Sequence, residues 1–231
     1  MSARGAVIGV VVVVVVLGAG AVGADRWAAG ETQDRAVDAI EQNLEGVVGT
    51  PSVDVGSFPF LTQIWAGSID DVTGHVQGAT LGGLDATDVD VEATGVSTSE
   101  PYTADHATVS ATLPTASIEK VVADRTGFDL KVALVGDELK VSGSVLGLTL
   151  AAQIQPRVAD GKLLVDITGL SLGGLKVDPS DIPGGGGSKL EGIDIPVDGL
   201  PEGLALTDAT VTDEGLRITA EGDDVVLTAQ S

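Results

Sequence analysis

The chain has 231 residues, of which 34 are Asp or Glu and only 12 Lys or Arg, for a net charge of −22. A field of that sign repels nucleic acid and anionic headgroups at long range, so nucleic acid is excluded as a partner and any membrane contact must be local and apolar. With no cysteine there are no disulfides, no thiolate zinc sites and no lipid-modified cysteine anchor, and with 3% aromatic residues the core must be built from Val, Leu, Ile and Ala.

The first element is an uncharged run, residues 5–24, GAVIGVVVVVVVLGAGAVGA. As a helix it would span about 30 Å, the hydrocarbon thickness of a bilayer. It is expected either to stay as a transmembrane anchor or to be cleaved as a signal peptide at the small residues around Ala19 to Gly23. Arg4 precedes it and the acidic remainder follows, so residues 25–231 are placed outside the cytoplasm. They are held at the cell membrane by a single-pass segment, or are secreted or periplasmic after cleavage. This exported part has 11 basic against 34 acidic residues, a charge of −23. Gly18-Ala-Gly20-Ala-Val-Gly23 matches a dinucleotide-binding fingerprint, but the apolar run is too long for a strand and no alternation of strands and helices follows, so no cofactor is expected.

After Asp25, the spacing of Ala36, Val37, Ile40 and Leu44 predicts an amphipathic helix over Gln33 to Glu45, with Gly46 as its stop. A second helix is predicted from Pro114 to Thr126, where Ile118, Val121 and Val122 share a face and Gly127 ends the element. Nearly everything else alternates with period two, as in Asp88 to Glu92, Phe128 to Val132, Glu138 to Val141, Lys162 to Thr168, Leu216 to Thr219 and Asp224 to Thr228. Turn residues at Gly136-Asp137, Asp160-Gly161, Asp213 to Gly215 and Gly222-Asp223 separate them. The expected fold class is α+β, mainly β: one long, highly curved antiparallel sheet of about eight to ten strands, wrapped with one or two helices. Gly74, Gly78, Gly143 and Gly169 lie inside strand patterns, where they favour bends and bulges, and an aliphatic inner face of this kind leaves room for a long apolar cavity.

Residues 178–191, DPSDIPGGGGSKLE, form a Gly-rich flexible loop, read as part of a single domain over 25–231. The reason is an internal echo: Leu81-Gly-Gly-Leu84 in TLGGLD returns as Leu172-Gly-Gly-Leu175 in SLGGLK, as two similar hairpins in one sheet would produce.

Candidate chemistry is sparse. His75 and His106 sit in strand-like stretches beside polar residues and are read as solvated, rather than as a metal or catalytic pair. Asp85, Asp88, Asp90 and Glu92 form an acidic face but lack the tight glycine turn of a calcium loop. No nucleophile elbow, P-loop or H-E-x-x-H is present, so no catalytic residue, metal site or enzyme activity is assigned. An anionic headgroup would have Lys120, Arg125, Lys131, Lys140, Arg157 or Lys176 to contact, and nothing in the spacing selects among them.

The stretch Ser57 to Gly67, SFPFLTQIWAG, concentrates three of the six aromatic residues. Phe58, Phe60, Ile64 and Trp65 either wedge the first helix against the sheet, with Pro59 fixing the turn, or form an apolar lip at which Trp65 meets a membrane interface.

Three segments together with the apolar N-terminus carry a resemblance: VGSFPFLTQIWAGSIDDV (55–72), TLGGLDATDVDVEATGV (80–96) and LPEGLALTDATVTDEGLRITAEGDDVVL (200–227). The chain resembles the LmeA-like family of actinobacterial envelope proteins, most specifically in the F-P-F-L-T-Q box (58–63) and the L-P-x-G-L of 200–204 followed by V-x-x-x-G-L at 211–216. The resemblance implies a tubular lipid-binding fold whose apolar channel takes the acyl chains of a phospholipid. On that basis the expected lipid-binding residues are Phe58, Phe60, Leu61, Ile64 and Trp65, with phospholipid and membrane as partners. The Gly184 to Gly187 tract departs from the family's pattern. Two alternatives stand beside this reading: a non-enzymatic scaffold for an envelope glycosyltransferase or cell-wall protein, and an envelope enzyme acting on lipid-linked glycan, for which no converging carboxylates are found.

Overall fold

A computed structural model describes residues 45–56, 60–81, 83–127, 129–145, 148–177, 193–195, 197 and 200–227. The N-terminal apolar segment, residues 33–44 of the helix expected over Gln33 to Glu45, and the Gly-rich loop lie outside the described residues. Among those described, the fold is mainly β, with antiparallel sheets and two helices. In chain order the elements are β1 (Glu45–Val48), β2 (Ser52–Gly56), α1 (Phe60–Ala66), β3 (Ser68–Leu81), β4 (Leu84–Ser97), β5 (Thr103–Leu113) and α2 (Thr115–Thr126). There follow β6 (Lys131–Val135), β7 (Glu138–Val145), β8 (Leu148–Ala159), β9 (Lys162–Leu172), β10 (Leu175–Val177), β11 (Ile193–Ile195), β12 (Ala205–Val211) and β13 (Leu216–Val226).

The single sheet expected from the alternation is instead two. One has the order β1-β3-β4-β5-β13-β12, with β2 also on β3; the other runs β10-β9-β8-β7-β6, with β11 also on β9. Period-two alternation says which face of a strand is buried but not which strand it pairs with, so the return of the C-terminal hairpin beside β5 is invisible to it. Neither sheet closes into a barrel among the described residues.

The described residues divide into two compact units, one within Met1–Ala111, Asp198–Ala205 and Thr219–Ser231, the other within Thr112–Val197 and Leu206–Ile218. The first is dominated by the β3–β4 hairpin, whose register sets Val72 opposite Ala93 and Val76 opposite Val89. These four are buried, as are Val91, Ile69 and Val225, an aliphatic set with no aromatic side chain among the described buried residues. In the second unit β6 and β7 pair Val132 with Val141 and Leu134 with Leu139. Ile118 and Val122 of α2 pack onto that patch, on the face that the helical spacing predicts. Pro114 occupies the N-cap position, and Gly127, in the left-handed conformation at φ 72°, ends the helix by donating its N–H to the Ala123 carbonyl.

Both copies of the Leu-Gly-Gly-Leu echo are two-residue hairpin turns, with Leu81 opposite Leu84 and Leu172 opposite Leu175. Gly173 and Gly174 have φ of 60° and 84°, the pair of positive values that such a turn requires and that two glycines supply without strain. Gly169 marks a bulge as expected: it pairs with Gln153, and the register slips by one before Ile154 meets Ile167.

Two other expectations are corrected. Glu45 and Gly46 belong to strand β1 and not to a helix end. Gly222-Asp223 is not a turn but lies inside the continuous strand β13, and a side chain on Gly222 would collide with the Gly203 carbonyl. The glycine is there for a close backbone approach, which carries the same sequence signal as a turn. The stretch from Phe60 to Ala66, to which the alternation and helix spacing assigned no element, forms helix α1.

Candidate lipid-contact site

The F-P-F-L-T-Q box leads into α1, a seven-residue helix, FLTQIWA, without a charged residue. Its attachment is polar. Gln63 is buried, and its Oε1 accepts the backbone N–H of Asp70 at 3.0 Å, tying the helix to the start of β3. At the helix end Gly67, at φ 83°, donates its N–H to the Ile64 carbonyl, and its own carbonyl accepts the N–H of Thr98 at 3.0 Å. The turn between helix and strand is thereby fixed on both sides.

Trp65 follows Gln63 by two residues, roughly 200° around a helix axis, so the face opposite the anchoring glutamine points to solvent. Its exposure is 92%, extreme for the bulkiest apolar side chain in a chain with two tryptophans. Ile64 is half-buried. Phe60 and Leu61 belong to α1, and Phe58 lies outside the described residues. The wedge reading therefore does not apply to Trp65, which contributes no core volume. The geometry brings a buried amide and an exposed indole to opposite sides of one uncharged turn, an arrangement that can hold an aromatic ring toward an apolar phase while the helix stays attached.

The remaining candidates are engaged elsewhere. His75 Nδ1 meets Asp90 Oδ1 at 2.7 Å across the β3–β4 pair, and His106 Nδ1 meets Asp223 Oδ1 at 2.9 Å between β5 and β13. Each histidine thus forms a solvent-exposed cross-strand pair with one carboxylate. Asp85 accepts a hydrogen bond from the Thr80 hydroxyl, and Asp90 is held by His75, so this acidic strand is distributed over separate partners. No group of three His, Asp or Glu side chains among the described residues is placed to hold a metal. Of the basic residues, Lys131 pairs with Glu119 at 2.9 Å and Arg157 with Asp166 at 2.7 Å, whereas Lys140 and Lys176 are exposed. Pairing with Glu119 raises the Lys131 pKa above its ordinary value.

The structure adds two residues that the sequence reading does not single out, Leu172 and Leu175, both exposed at the tip of the β9–β10 turn. Their signal in the sequence is the LGGL echo combined with a change of neighbour, Lys176 standing where the first copy has Asp85.

Comparison with known proteins gives one result. A family model described as LmeA-like phospholipid-binding matches residues 23–221, most of the chain, including the first two segments quoted above and the third as far as residue 221. No curated protein and no solved structure gives a match.

Proposed function

Since the chain belongs to the LmeA-like phospholipid-binding family, we propose that it holds the acyl chains of a phospholipid in an apolar channel, as an envelope lipid-binding or lipid-transfer protein supporting lipid and lipoglycan assembly. In this reading the antiparallel sheets wrap with the helices as a tubular lipid-binding fold, and residues 25–231 work outside the cytoplasm behind the segment at 5–24. Phe58, Phe60, Leu61, Ile64 and Trp65 form the lip by which a chain enters. The match over residues 23–221 carries the lipid, and the exposed, uncharged face of α1 supports the position of the lip. The buried faces, made predominantly of Val, Leu, Ile and Ala, are of the chemistry that suits acyl chains.

Native mass spectrometry of protein extracted gently from a membrane tests this, together with titration by a fluorescent acyl probe. Co-purifying phospholipid and saturable uptake are expected. Neither lipid nor uptake, with side chains filling the interior, would leave the scaffold for an envelope glycosyltransferase or cell-wall protein as the better reading.

A further inference from the structure

The six-stranded sheet has two chemically different ends. At one end lie the β6–β7 turn (135–138) and the β8–β9 turn (159–162), which carry Asp137, Glu138 and Asp160. At the other end β7 pairs Val145 with Leu148 as it enters β8, and β9 turns at Gly173-Gly174 into β10. Antiparallel register stacks this second end into rows, with Leu172 opposite Leu150 and Leu150 opposite Gly143.

Across the chain 34 of 231 residues, about one in seven, are Asp or Glu. None occurs in residues 139–159 or in 167–177, the two runs that the register brings side by side at this end. Leu175 is 74% exposed and Leu172 is 42% exposed, and the next residue, Lys176, is an exposed cation. The first copy of the turn shows that such a tip is not a requirement of the fold. There Leu81 and Leu84 are both half-buried, and the following residue is Asp85, bonded to Thr80. Two hairpins closed by the same Leu-Gly-Gly-Leu sequence have thus been finished in two ways: acidic and shielded in one unit, apolar and basic in the other.

We infer that the Leu172–Leu175 hairpin tip is a bilayer-docking element, inserting its two leucines among the acyl chains at the surface of a membrane while Lys176 meets lipid phosphate. In a protein of charge −22 a leucine tip carried on two carboxylate-free runs, with Asp129 beside Gly143 as an acid at that end, is a place where close approach to an anionic surface is weakly opposed. Exposed leucines gain free energy by leaving water, and an adjacent lysine lays its stem along them while its ammonium stays at the headgroups. This site is distinct from the lip on α1. It rests on the lipid-handling reading only for its purpose, since docking does not require that a lipid be carried inside.

The absence of native cysteine makes the test direct. Full-length Leu175→Cys, labelled with an environment-sensitive nitrobenzoxadiazole dye, is reconstituted in vesicles of phosphatidylcholine and phosphatidylglycerol. Val135→Cys, also exposed but beside Asp137 and Glu138, is the control from the acidic end of the same sheet. Docking predicts blue-shifted emission at position 175, quenched by doxyl-labelled acyl chains and protected from aqueous iodide, with the reverse at 135. Leu172→Asp should abolish doxyl quenching at 175 while leaving acyl-probe uptake intact, so failure of docking and failure of lipid carriage are read separately. The inference is overturned if iodide quenches position 175 with vesicles present. It is equally overturned if neither quencher reaches it, which would mean that protein covers the tip, or if doxyl lipid quenches both positions alike.

Discussion

Trp65 and Gln63, two residues apart on α1, divide attachment from exposure. Removing the Trp65 ring takes nothing from the core, so Trp65→Ala should leave folding stability within about 0.5 kcal/mol of the parent. Its loss should appear in the saturation of a fluorescent acyl probe. Gln63→Ala removes the acceptor of the Asp70 N–H and should cost about 1–2 kcal/mol in denaturant melts. If Trp65→Ala melted as early as Gln63→Ala, the exposed-lip reading would fail. A second residue-scale test concerns Gly222: its α-hydrogen faces the Gly203 carbonyl, and Gly222→Ala should cost about 1–3 kcal/mol by forcing two backbones apart. The two kinds of position were unequally legible. Exposure of Trp65 depends on which helix face the sheet accepts, and the close approach at Gly222 depends on a contact between residues 203 and 222, which local turn chemistry does not report.

At the scale of elements, α2 shows how a helix can finish a sheet. Among the described residues β6 is the last strand on its side, so backbone groups on its outer edge have no strand partner there. Glu119 of α2 supplies one: its Oε1 accepts the Val132 N–H at 2.9 Å, and its Oε2 accepts from the Lys131 ammonium. The Val132 N–H first, and Lys131 next, hold the Glu119 carboxyl below the ordinary value of 4.5. Because the folded pKa is depressed, the contribution is fully present above the ordinary value and is lost as pH falls through the lowered one. Thermal midpoints measured from neutral pH to below about 4.5 should therefore fall less steeply for Glu119→Gln than for the parent. Parallel curves would show that the carboxylate is not linked to folding. The helix itself was readable from Pro114, Gly127 and the Ile118–Val122 spacing, because its signals are local. The role of Glu119 was not, since it depends on which strand ends the sheet.

For the whole molecule, charge is the dominant long-range quantity. With 34 acidic against 12 basic residues, self-repulsion opposes the compact state. The ion pairs Lys131–Glu119, Arg157–Asp166 and Lys162–Asp194 involve solvent-exposed partners and offset little of it. Raising ionic strength from about 0.01 M to 1 M shortens the screening length roughly tenfold, from 30 to 3 Å. The thermal midpoint should rise accordingly, the opposite of what a fold held by surface ion pairs would show. A midpoint that falls with salt would refute the repulsion argument.

Composition, charge and local periodicity by themselves determined that this is a mainly β, cysteine-free, acidic protein with an aliphatic core, a helix at 115–126 and paired Gly-Gly hairpins, and the boxes at 58–63 and 200–216 placed it in its family. These properties reside in neighbouring residues or in sums over the chain, and neither depends on who meets whom across long separations. Only the tertiary structure decided that there are two sheets, that β13 returns beside β5, that Trp65 stands in solvent, and that one LGGL turn is shielded while the other is bare. Strand partnership is chosen by packing between segments about a hundred residues apart, and a period of two repeats identically in every candidate partner.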